Sequence, residues 1–408
     1  MTTALADRPA HVSADRVYDF DIYAIQSKDG EYQLAMKKLN DDGAPEVFWT
    51  PRNGGHWVVT RSAEITRVLN EYQTFSSRTI TIPRTVGRPP LKPLQVDPPE
   101  HVKYRNLLAS ALSPKAVTAL GETARKLTIE LIEGFIERGE CEFIGEFAQH
   151  LPIAIFMQIV DLPDADRVTL THASDMAMRG ATEQDREVGA MQVAAYGMQK
   201  IHERRANPGT DLISTIATAK IDGELLDDYT LTGMVTLLLF AGLDTVASML
   251  GFFANFLARN PEHRHQLAAN PELIPNAVEE MLRRFPVALL GREVVADTEL
   301  GGAQLKAGEL VCMPTMLDGL DDHRYENPEQ VDFSRKVTQH ATFGGGQHRC
   351  MGSMLARTEL RIFLEEWLKR IPDFEIKPGA EIKVAARSVA TITSLPLVWK
   401  VQSKQAAA

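Results

Sequence analysis

A cysteine follows a run of glycines where the sequence pattern predicts the start of a helix. The stretch reads Phe343-Gly344-Gly345-Gly346-Gln347-His348-Arg349-Cys350-Met351-Gly352, and Ala356 follows within the first turns of the expected helix. Glycines let the backbone approach a bound group closely and leave amide N–H groups free to point at the sulfur. The partial positive charge of a helix N-terminus lowers the pKa of a thiol. The pattern therefore predicts that Cys350 acts as a thiolate ligand.

Simpler explanations of this stretch also exist. Cys350 could be a small buried apolar residue beside an ordinary glycine turn. A phosphate-binding loop would need Gly-Lys followed by Ser or Thr, and this sequence is missing after the glycines. Cys141 and Cys312 lie far from Cys350, without the paired spacing of zinc sites or disulfide frameworks.

An acid and an alcohol lie within a long apolar stretch. Residues 231–258 contain Asp244 as their one charged residue, within Ala241-Gly242-Leu243-Asp244-Thr245. Burying such groups costs free energy unless they have a partner, water or a function. Thr245 could also hydrogen-bond to the carbonyl of Ala241 and only bend the helix.

A third feature is Glu280-Met281-Leu282-Arg283, which places a glutamate and an arginine on one helix face. Such pairs usually lie on the surface and contribute little stability.

The elements that position these residues are mainly helical. Helix starts are predicted at Ser62, Ser113-Pro114, Pro163 and Asp227. The longest helix runs from Asp227 to about Ala258, which is about 50 Å at 1.5 Å per residue and favours one large domain. Further helices are predicted from about Pro271 to Arg284 and from Gly352 to about Lys369. Strands are predicted around 293–295, 309–311 and 390–392, with a turn at 301–302.

Composition excludes several classes of protein. A net charge of −10 argues against a general nucleic-acid binder, and 44% hydrophobic residues can form a large core. Residues 231–258 are long enough to span a bilayer, but Asp244 in their middle and acids at their entry favour a buried helix. The N-terminus lacks the pattern of a secretory signal, so we expect a cytoplasmic protein without a membrane anchor.

The complete pattern around Cys350 resembles the haem-binding loop of cytochromes P450: Phe, two residues, Gly, three residues, Cys, one residue, Gly. The resemblance extends from about Phe75 to Trp399, in particular to the soluble bacterial camphor monooxygenase group. It implies a mainly α fold with minor β, in one large triangular domain over residues 1–408 with flexible ends at about 1–15 and 402–408. Haem b would lie between the long central helix and the helix after Cys350.

The resemblance also assigns residues to the cofactor. The implied haem contacts are His101, Arg105, Gly242, Arg292, Phe343, Gly344, His348, Cys350, Gly352 and Ala356. Cys350 is the implied axial ligand of the iron, and the two histidines and two arginines are the implied partners of the propionates. Glu280, Arg283 and Arg335 match a buried structural network that is not catalytic.

Asp244 and Thr245 resemble the oxygen-activation groove of the family, in which the acid relays protons and the hydroxyl orients the activated oxygen. The implied substrate pocket consists of Thr81, Pro90, Leu237, Phe240, Ala241, Ala288, Leu290 and Val389. Pro90 and Thr81 replace a tyrosine and a phenylalanine that face the substrate in the camphor enzyme. Leu290 replaces an acid near the propionates.

The resemblance implies hydroxylation of a small apolar terpenoid or norisoprenoid by a monomeric bacterial enzyme with O2. Electrons would come from a [2Fe-2S] ferredoxin and an NADH-dependent reductase, with docking at Arg105, Arg349 and Arg357. A peroxygenase or isomerase is the alternative enzyme class, and Asp244-Thr245 argues against it because such enzymes need no proton delivery to O2. A haem gas sensor is the non-enzymatic alternative, disfavoured because no second domain is recognised.

Overall fold

The computed structural model of the protein describes residues 5–337 and 339–401. Its helices are α1 Tyr32–Asp41, α2 Ser62–Asn70, α3 Glu100–Ala109, α4 Pro114–Phe135, α5 His150–Val160, α6 Arg167–Arg179, α7 Glu183–Ala206, α8 Leu212–Ala217, α9 Asp228–Leu243, α10 Thr245–Arg259, α11 Pro261–Ala269, α12 Ile274–Arg284, α13 Thr315–Gly319 and α14 Ser353–Arg370. The predicted starts are confirmed at Ser62 and Ser113-Pro114, where the Ser113 hydroxyl accepts a hydrogen bond from the N–H of Ala116.

The central apolar stretch forms two helices that meet at Asp244. Asp227 caps the first one, since its carboxylate accepts a hydrogen bond from the N–H of Thr230 at 2.7 Å. At Asp244 the backbone leaves helical geometry, with φ −134° and ψ −46°, and α10 begins at Thr245. The sequence predicted one uninterrupted helix, and its outer bounds are confirmed, but the break falls at the two polar residues.

The break also separates two hydrophobic cores. Buried side chains of α9 pack with those of α5, α6, α7 and α8. Buried side chains of α10 pack instead with α12, α14 and the main sheet. Asp244 and Thr245 therefore lie at the junction of the two cores.

The strands are short and mostly lie in the second half of the chain. They are β1 Val47–Thr50, β2 His56–Val59, β3 Phe75–Ser76, β4 Glu140–Glu142, β5 Lys220–Ile221, β6 Glu224–Leu225, β7 Leu289–Val294, β8 Thr298–Leu300, β9 Ala303–Leu305, β10 Leu310–Pro314, β11 Glu375–Ile376, β12 Val384–Ala386, β13 Ala390–Ile392 and β14 Pro396–Val398. The main sheet has the order β1-β2-β10-β7-β3, a second sheet has the order β11-β14-β4, and β5-β6, β8-β9 and β12-β13 are hairpins. The predicted turn at Gly301-Gly302 is confirmed and joins β8 to β9, a hairpin that the sequence pattern missed.

The N-terminal segment packs on the main sheet. The N–H of Ala6 donates to the carbonyl of Pro51 at 2.9 Å, and Nε2 of His11 lies 3.0 Å from Oε1 of Glu309. The prediction of a flexible end up to residue 15 is therefore wrong for these residues, because long-range contacts tie them to the fold. Residues 1–4 and 402–408 lie outside the described residues.

Among the residues that the structure describes, Asp228–Arg259 is long and apolar enough to cross a membrane by length and composition. Of its most apolar window, 56% is buried inside the protein, as in the core helix of a folded domain.

Candidate haem and oxygen site

The loop that carries Cys350 turns back on itself before α14. Gly344 and Gly346 have φ of +66° and +57°, a region that glycine adopts without steric cost. The N–H of Cys350 donates to the carbonyl of Phe343 at 2.9 Å, and Gly352 occupies the N-cap of α14. This geometry holds the cysteine at the start of the helix, as the sequence predicted.

Cys350 is exposed, whereas Cys141 and Cys312 are buried. The dense protein around the sulfur nevertheless raises the pKa of Cys350 by desolvation, against the backbone N–H groups of Gly352 and Ser353 and the nearby Arg105. The sequence predicted a lowered pKa, and this direction is wrong for the protein alone because desolvation outweighs the helix start. A coordinating thiol loses its proton outright, so a metal ion removes this cost.

Arg179, which the sequence analysis missed, is the partner of Asp244. Its Nη2 donates to Oδ1 of Asp244, while its Nη1 lies 2.6 Å from Oδ1 of Asp175. Burial raises the pKa of Asp244, and the charge of Arg179 opposes this rise without cancelling it. Within the described residues, Oδ2 of Asp244 is buried without a hydrogen-bond partner. The carboxyl therefore keeps one oxygen available for a proton relay.

Thr245 follows the break in the central helix. Its Oγ1 lies 3.4 Å from the carbonyl oxygen of Ala241, at the long limit of a hydrogen bond. Ala241 is exposed, although half of the residues of α9 are buried. The helix thus holds the hydroxyl only weakly. Both a hydrogen bond that bends the helix and a role in oxygen activation fit this geometry.

Buried basic side chains gather where the propionate partners are expected. Arg292 is 3% exposed and donates to the carbonyl of its neighbour Gly291, and burial lowers its pKa to about 10. The rings of His101 and His348 lie 4.5 Å apart, and burial lowers the pKa of His101 to about 4. In the described part of the chain, neither ring nitrogen of either histidine has a hydrogen-bond partner. Buried donors without acceptors fit a ligand that brings carboxylates.

Arg105 lies beside this cluster but is tied to the cysteine loop. Its Nη2 donates to the carbonyl oxygen of Arg349 at 2.7 Å. Asp97 is close as well, with Oδ1 3.7 Å from Nε2 of His348, and its carboxylate accepts from Ser76 and from the N–H of Ser77. Burial opposes the charge of Asp97, but the nearby His348 and the hydrogen bonds from these serines outweigh it and lower the pKa of Asp97 to about 2.

The donor set limits what the site can hold. The described residues contain no group of three or more His, Cys, Asp or Glu side chains that could bind a metal ion by themselves. A single cysteine ligand, together with a cluster of basic groups whose nitrogens are only partly hydrogen-bonded, fits a flat prosthetic group that supplies the other ligands of its metal and two carboxylates. Haem b has this composition.

Glu280, Arg283 and Arg335 lie together. Arg283 donates to both carboxylate oxygens of Glu280 at 2.8 Å, and both side chains are 0% exposed. Nε of Arg335 donates to Oε1 of Glu280 at 3.2 Å, and the N–H of Asp332 donates to the same oxygen at 3.0 Å. Arg283 also donates to the carbonyls of Gly319, Pro328 and Gln330, so this buried cation is well satisfied.

Gly242 packs against a neighbouring helix. A Cβ at this position would lie 2.1 Å from Cδ2 of Phe156 in α5. The expected contact of Gly242 with the cofactor therefore has no support in this geometry, since the missing side chain makes room for Phe156.

The implied pocket residues come from α9, β7 and the loops. Leu237, Phe240 and Ala241 lie on α9, Leu290 lies on β7, and Ala288 forms a bridge with Val389. Thr81 and Pro90 contact other parts of the chain and are therefore less available to a substrate than expected. Oγ1 of Thr81 lies 3.0 Å from Oγ1 of Thr85, and the carbonyl of Pro90 lies against Gly233, where a Cβ would approach it to 2.0 Å.

The expected docking cations differ in their surroundings. Arg349 is exposed, but Arg357 forms two hydrogen bonds with Glu279, at 2.5 and 2.9 Å, and lies over the ring of Phe343. A neighbouring carboxylate therefore neutralises Arg357, which leaves it less available to a docking partner than the sequence implied.

Comparisons with known proteins identify the family of the chain. The family model described as Cytochrome P450 matches residues 178–397. The protein described as Probable cytochrome P450 127A1, from Sinorhizobium fredii, is 33% identical over 402 residues, covering 96% of each chain. Crystal structures of CYP101J2 and CYP101C1 are 38% and 35% identical, with TM-scores of 0.86 and 0.87. Each match covers 97% of this chain and 100% of the other.

The chain belongs to the cytochrome P450 family. It is a cytochrome P450 monooxygenase with haem b as its cofactor and O2 as its co-substrate. The expected mainly helical fold with small sheets is thereby confirmed.

Proposed function

We propose that this monooxygenase hydroxylates a small apolar substrate of terpenoid or norisoprenoid type. The observation that supports this most directly is the composition of the implied pocket. Leu237, Phe240, Ala241, Ala288, Leu290 and Val389 are all apolar. Binding then rests mainly on buried apolar area, at about 25 cal/mol per Å².

The polar residues of the site have separate roles in this proposal. Cys350 would hold the haem iron, and thiolate ligation would favour cleavage of the O–O bond. Asp244 passes protons into the groove from its free Oδ2. The charge of Arg179 favours the ionised form of the Asp244 carboxyl. Thr245 presents its hydroxyl to the reacting oxygen. His101, His348 and Arg292 bind the propionates.

The reaction needs two electrons. The proposed donor is an iron–sulfur ferredoxin, which an NADH-dependent reductase reduces. Arg105 and Arg349 provide positive charge beside Cys350, although the chain carries a net charge of −10. An acidic ferredoxin fits this local charge. The proposed protein is a cytoplasmic monomer.

The substrate class is tested by titrating the haem-loaded protein with camphor and with larger norisoprenoids and following the low-spin to high-spin Soret shift. Pro90 offers no hydroxyl to the ketone of camphor. Norisoprenoids are therefore expected to bind more tightly than camphor and to give the larger Soret shift. A matched pair of variants separates shape from hydrogen bonding. Pro90→Tyr should bind camphor a few-fold more tightly than Pro90→Phe, since one hydrogen bond contributes about 0.5–1.5 kcal/mol.

Tight and complete conversion of camphor to a single product, without a response to larger terpenoids, would contradict the proposed substrate class. Turnover driven by hydrogen peroxide alone at the rate seen with ferredoxin and NADH would favour the peroxygenase alternative.

A further inference from the structure

Arg186 occupies a position in α7 that is unfavourable for a cation. It follows Asp185 in the first turn, where the helix dipole presents partial positive charge. Asp185 is engaged in a capping box, accepting from the N–H of Thr182 and donating its own N–H to the Thr182 hydroxyl, both at 3.0 Å. Arg186 is half-buried and donates to the carbonyl of Gly180 at 2.8 Å. Glu183 and Asp185 in the same turn compensate its charge only in part, since within the described residues neither forms an ion pair with Arg186 and Asp185 is engaged in the capping box.

Arg387 is a second cation that, within the described residues, forms no ion pair with a carboxylate. It follows β12 and lies over the ring of Tyr23, with its guanidinium carbon 4.4 Å from the ring centre. The Tyr23 hydroxyl donates to the carbonyl of Ile82 at 2.5 Å, which fixes the ring. Across the described residues, neither Arg186 nor Arg387 forms an ion pair with a carboxylate. Burial lowers the pKa of Arg186, and the neighbouring charge of Arg387 lowers it further.

Arg387 lies next to the implied substrate pocket, and Arg186 is close enough to Arg387 for their charges to interact. Arg387 is two residues before Val389, which forms the bridge with Ala288. Ile82, which accepts the bond from Tyr23, follows Thr81 directly. Two like charges beside an apolar pocket are held together at a cost in free energy, and a bound anion would remove that cost.

We propose that Arg186 and Arg387 bind the carboxylate of a substrate whose apolar part occupies the pocket. The proposal rests on the proposed function and narrows it to a terpenoid-type carboxylic acid. A guanidinium matches a carboxylate in two parallel hydrogen bonds, and stacking on Tyr23 holds Arg387 in one orientation. Leu237, Phe240 and Ala241 then contact the hydrocarbon part.

The test compares geranic acid with methyl geranate on the haem-loaded protein at neutral pH, using the spin-state shift and calorimetry. The acid is expected to bind on the order of tenfold more tightly than the ester, in line with a hydrogen bond to a charged group. This preference should weaken as salt is added. The comparison uses the unmodified protein, so it stands even if a variant fails to fold.

Variants then assign the preference to the two arginines. The double variant with Arg186→Gln and Arg387→Gln should lose the preference for the acid, because acid binding weakens while ester binding stays unchanged. Lysine at both positions should restore part of it. The control is Arg88→Gln, because Arg88 is an exposed arginine in the loop that leads to Pro90.

Three results would overturn the inference. The first is equal binding of acid and ester, or tighter binding of the ester, to the unmodified protein. The second is an acid preference that survives in the double glutamine variant, and the third is an equal loss in Arg88→Gln. In each case a spin shift with the ester leaves the proposed function standing. If neither compound nor any norisoprenoid shifts the spin state, the proposed substrate class fails as well.

Discussion

Arg179 at the end of α6 donates a hydrogen bond to Asp244 at the break between α9 and α10. Both side chains are nearly buried, at 9% and 11% exposure. The pair connects α6, which packs in the same core as α9, to the break at Asp244 where the two cores meet. Displacement of α6 would therefore change the position of the Asp244 carboxyl.

Asp244→Asn should slow turnover by a factor of about 10² or more, because the groove loses its proton relay while haem and substrate still bind. Arg179→Gln should act differently. It removes the charge that lowers the pKa of Asp244, so the pKa rises further and the acidic limb of the kcat profile moves to higher pH. Arg179→Lys is the control that retains the charge. A pH profile of kcat that is the same in all three variants would contradict the assigned roles.

Thr245→Ala should leave haem binding and the spin-state shift intact while more of the NADH consumed appears as hydrogen peroxide. The reason is the loss of the hydroxyl at the break, which is held only at 3.4 Å by the Ala241 carbonyl and is free to meet another partner. Measuring NADH, peroxide and product in parallel gives the coupling. Thr245→Ser keeps the hydroxyl and should stay close to the unmodified protein; equal coupling in the alanine and serine variants would refute the role.

Cys350→Ala should abolish the shifted Soret band of the reduced carbonyl complex, which is the spectroscopic sign of thiolate ligation. Cys312→Ala serves as the matched control, since this buried cysteine lies in β10. A thiolate spectrum retained in Cys350→Ala would disprove the ligand assignment.

Reduction by ferredoxin should slow with increasing salt and with Arg349→Glu, because exposed charges steer the encounter. Arg357→Gln should affect this rate less, since Glu279 already neutralises Arg357. It should instead lower stability, because Glu279 loses its arginine partner. Stopped-flow reduction and urea unfolding separate the two effects, and a larger rate loss in Arg357→Gln than in Arg349→Glu would count against this docking face.

Glu280→Gln should destabilise the fold by about 3–5 kcal/mol, because it leaves Arg283 as a buried cation without its carboxylate. Urea unfolding and haem retention measure the effect. Glu272→Gln, at an exposed glutamate just before α12, is the control and should change stability by less than about 0.5 kcal/mol. Equal stability of the two variants would refute the structural role of the network.

Local patterns explain why much of the site could be predicted. The glycines and Cys350 form one continuous loop, and Glu280 and Arg283 share a helix face, so spacing alone relates them. Arg179 and Asp244 are 65 positions apart, and Glu279 and Arg357 are 78 positions apart. Such contacts depend on how α6 packs on α9 and α12 on α14, which a single sequence pattern does not encode.

The break at Asp244 and the direction of the Cys350 pKa have a related cause. A run of apolar residues predicts a helix but carries no signal for the backbone angles of one polar residue within it. The pKa of a thiol at a helix start depends on the surrounding packing density as well as on the helix. Both properties follow from tertiary structure.

The close approach of Pro90 to Gly233 gives the pocket a mechanical limit. The loop that carries Pro90 rests directly on the backbone of the central helix, with no room for a single methyl group between them. Gly233→Ala would act as a spacer that lifts the loop from the helix. One added carbon atom at this contact would thus set how closely the loop of Pro90 can approach the central helix.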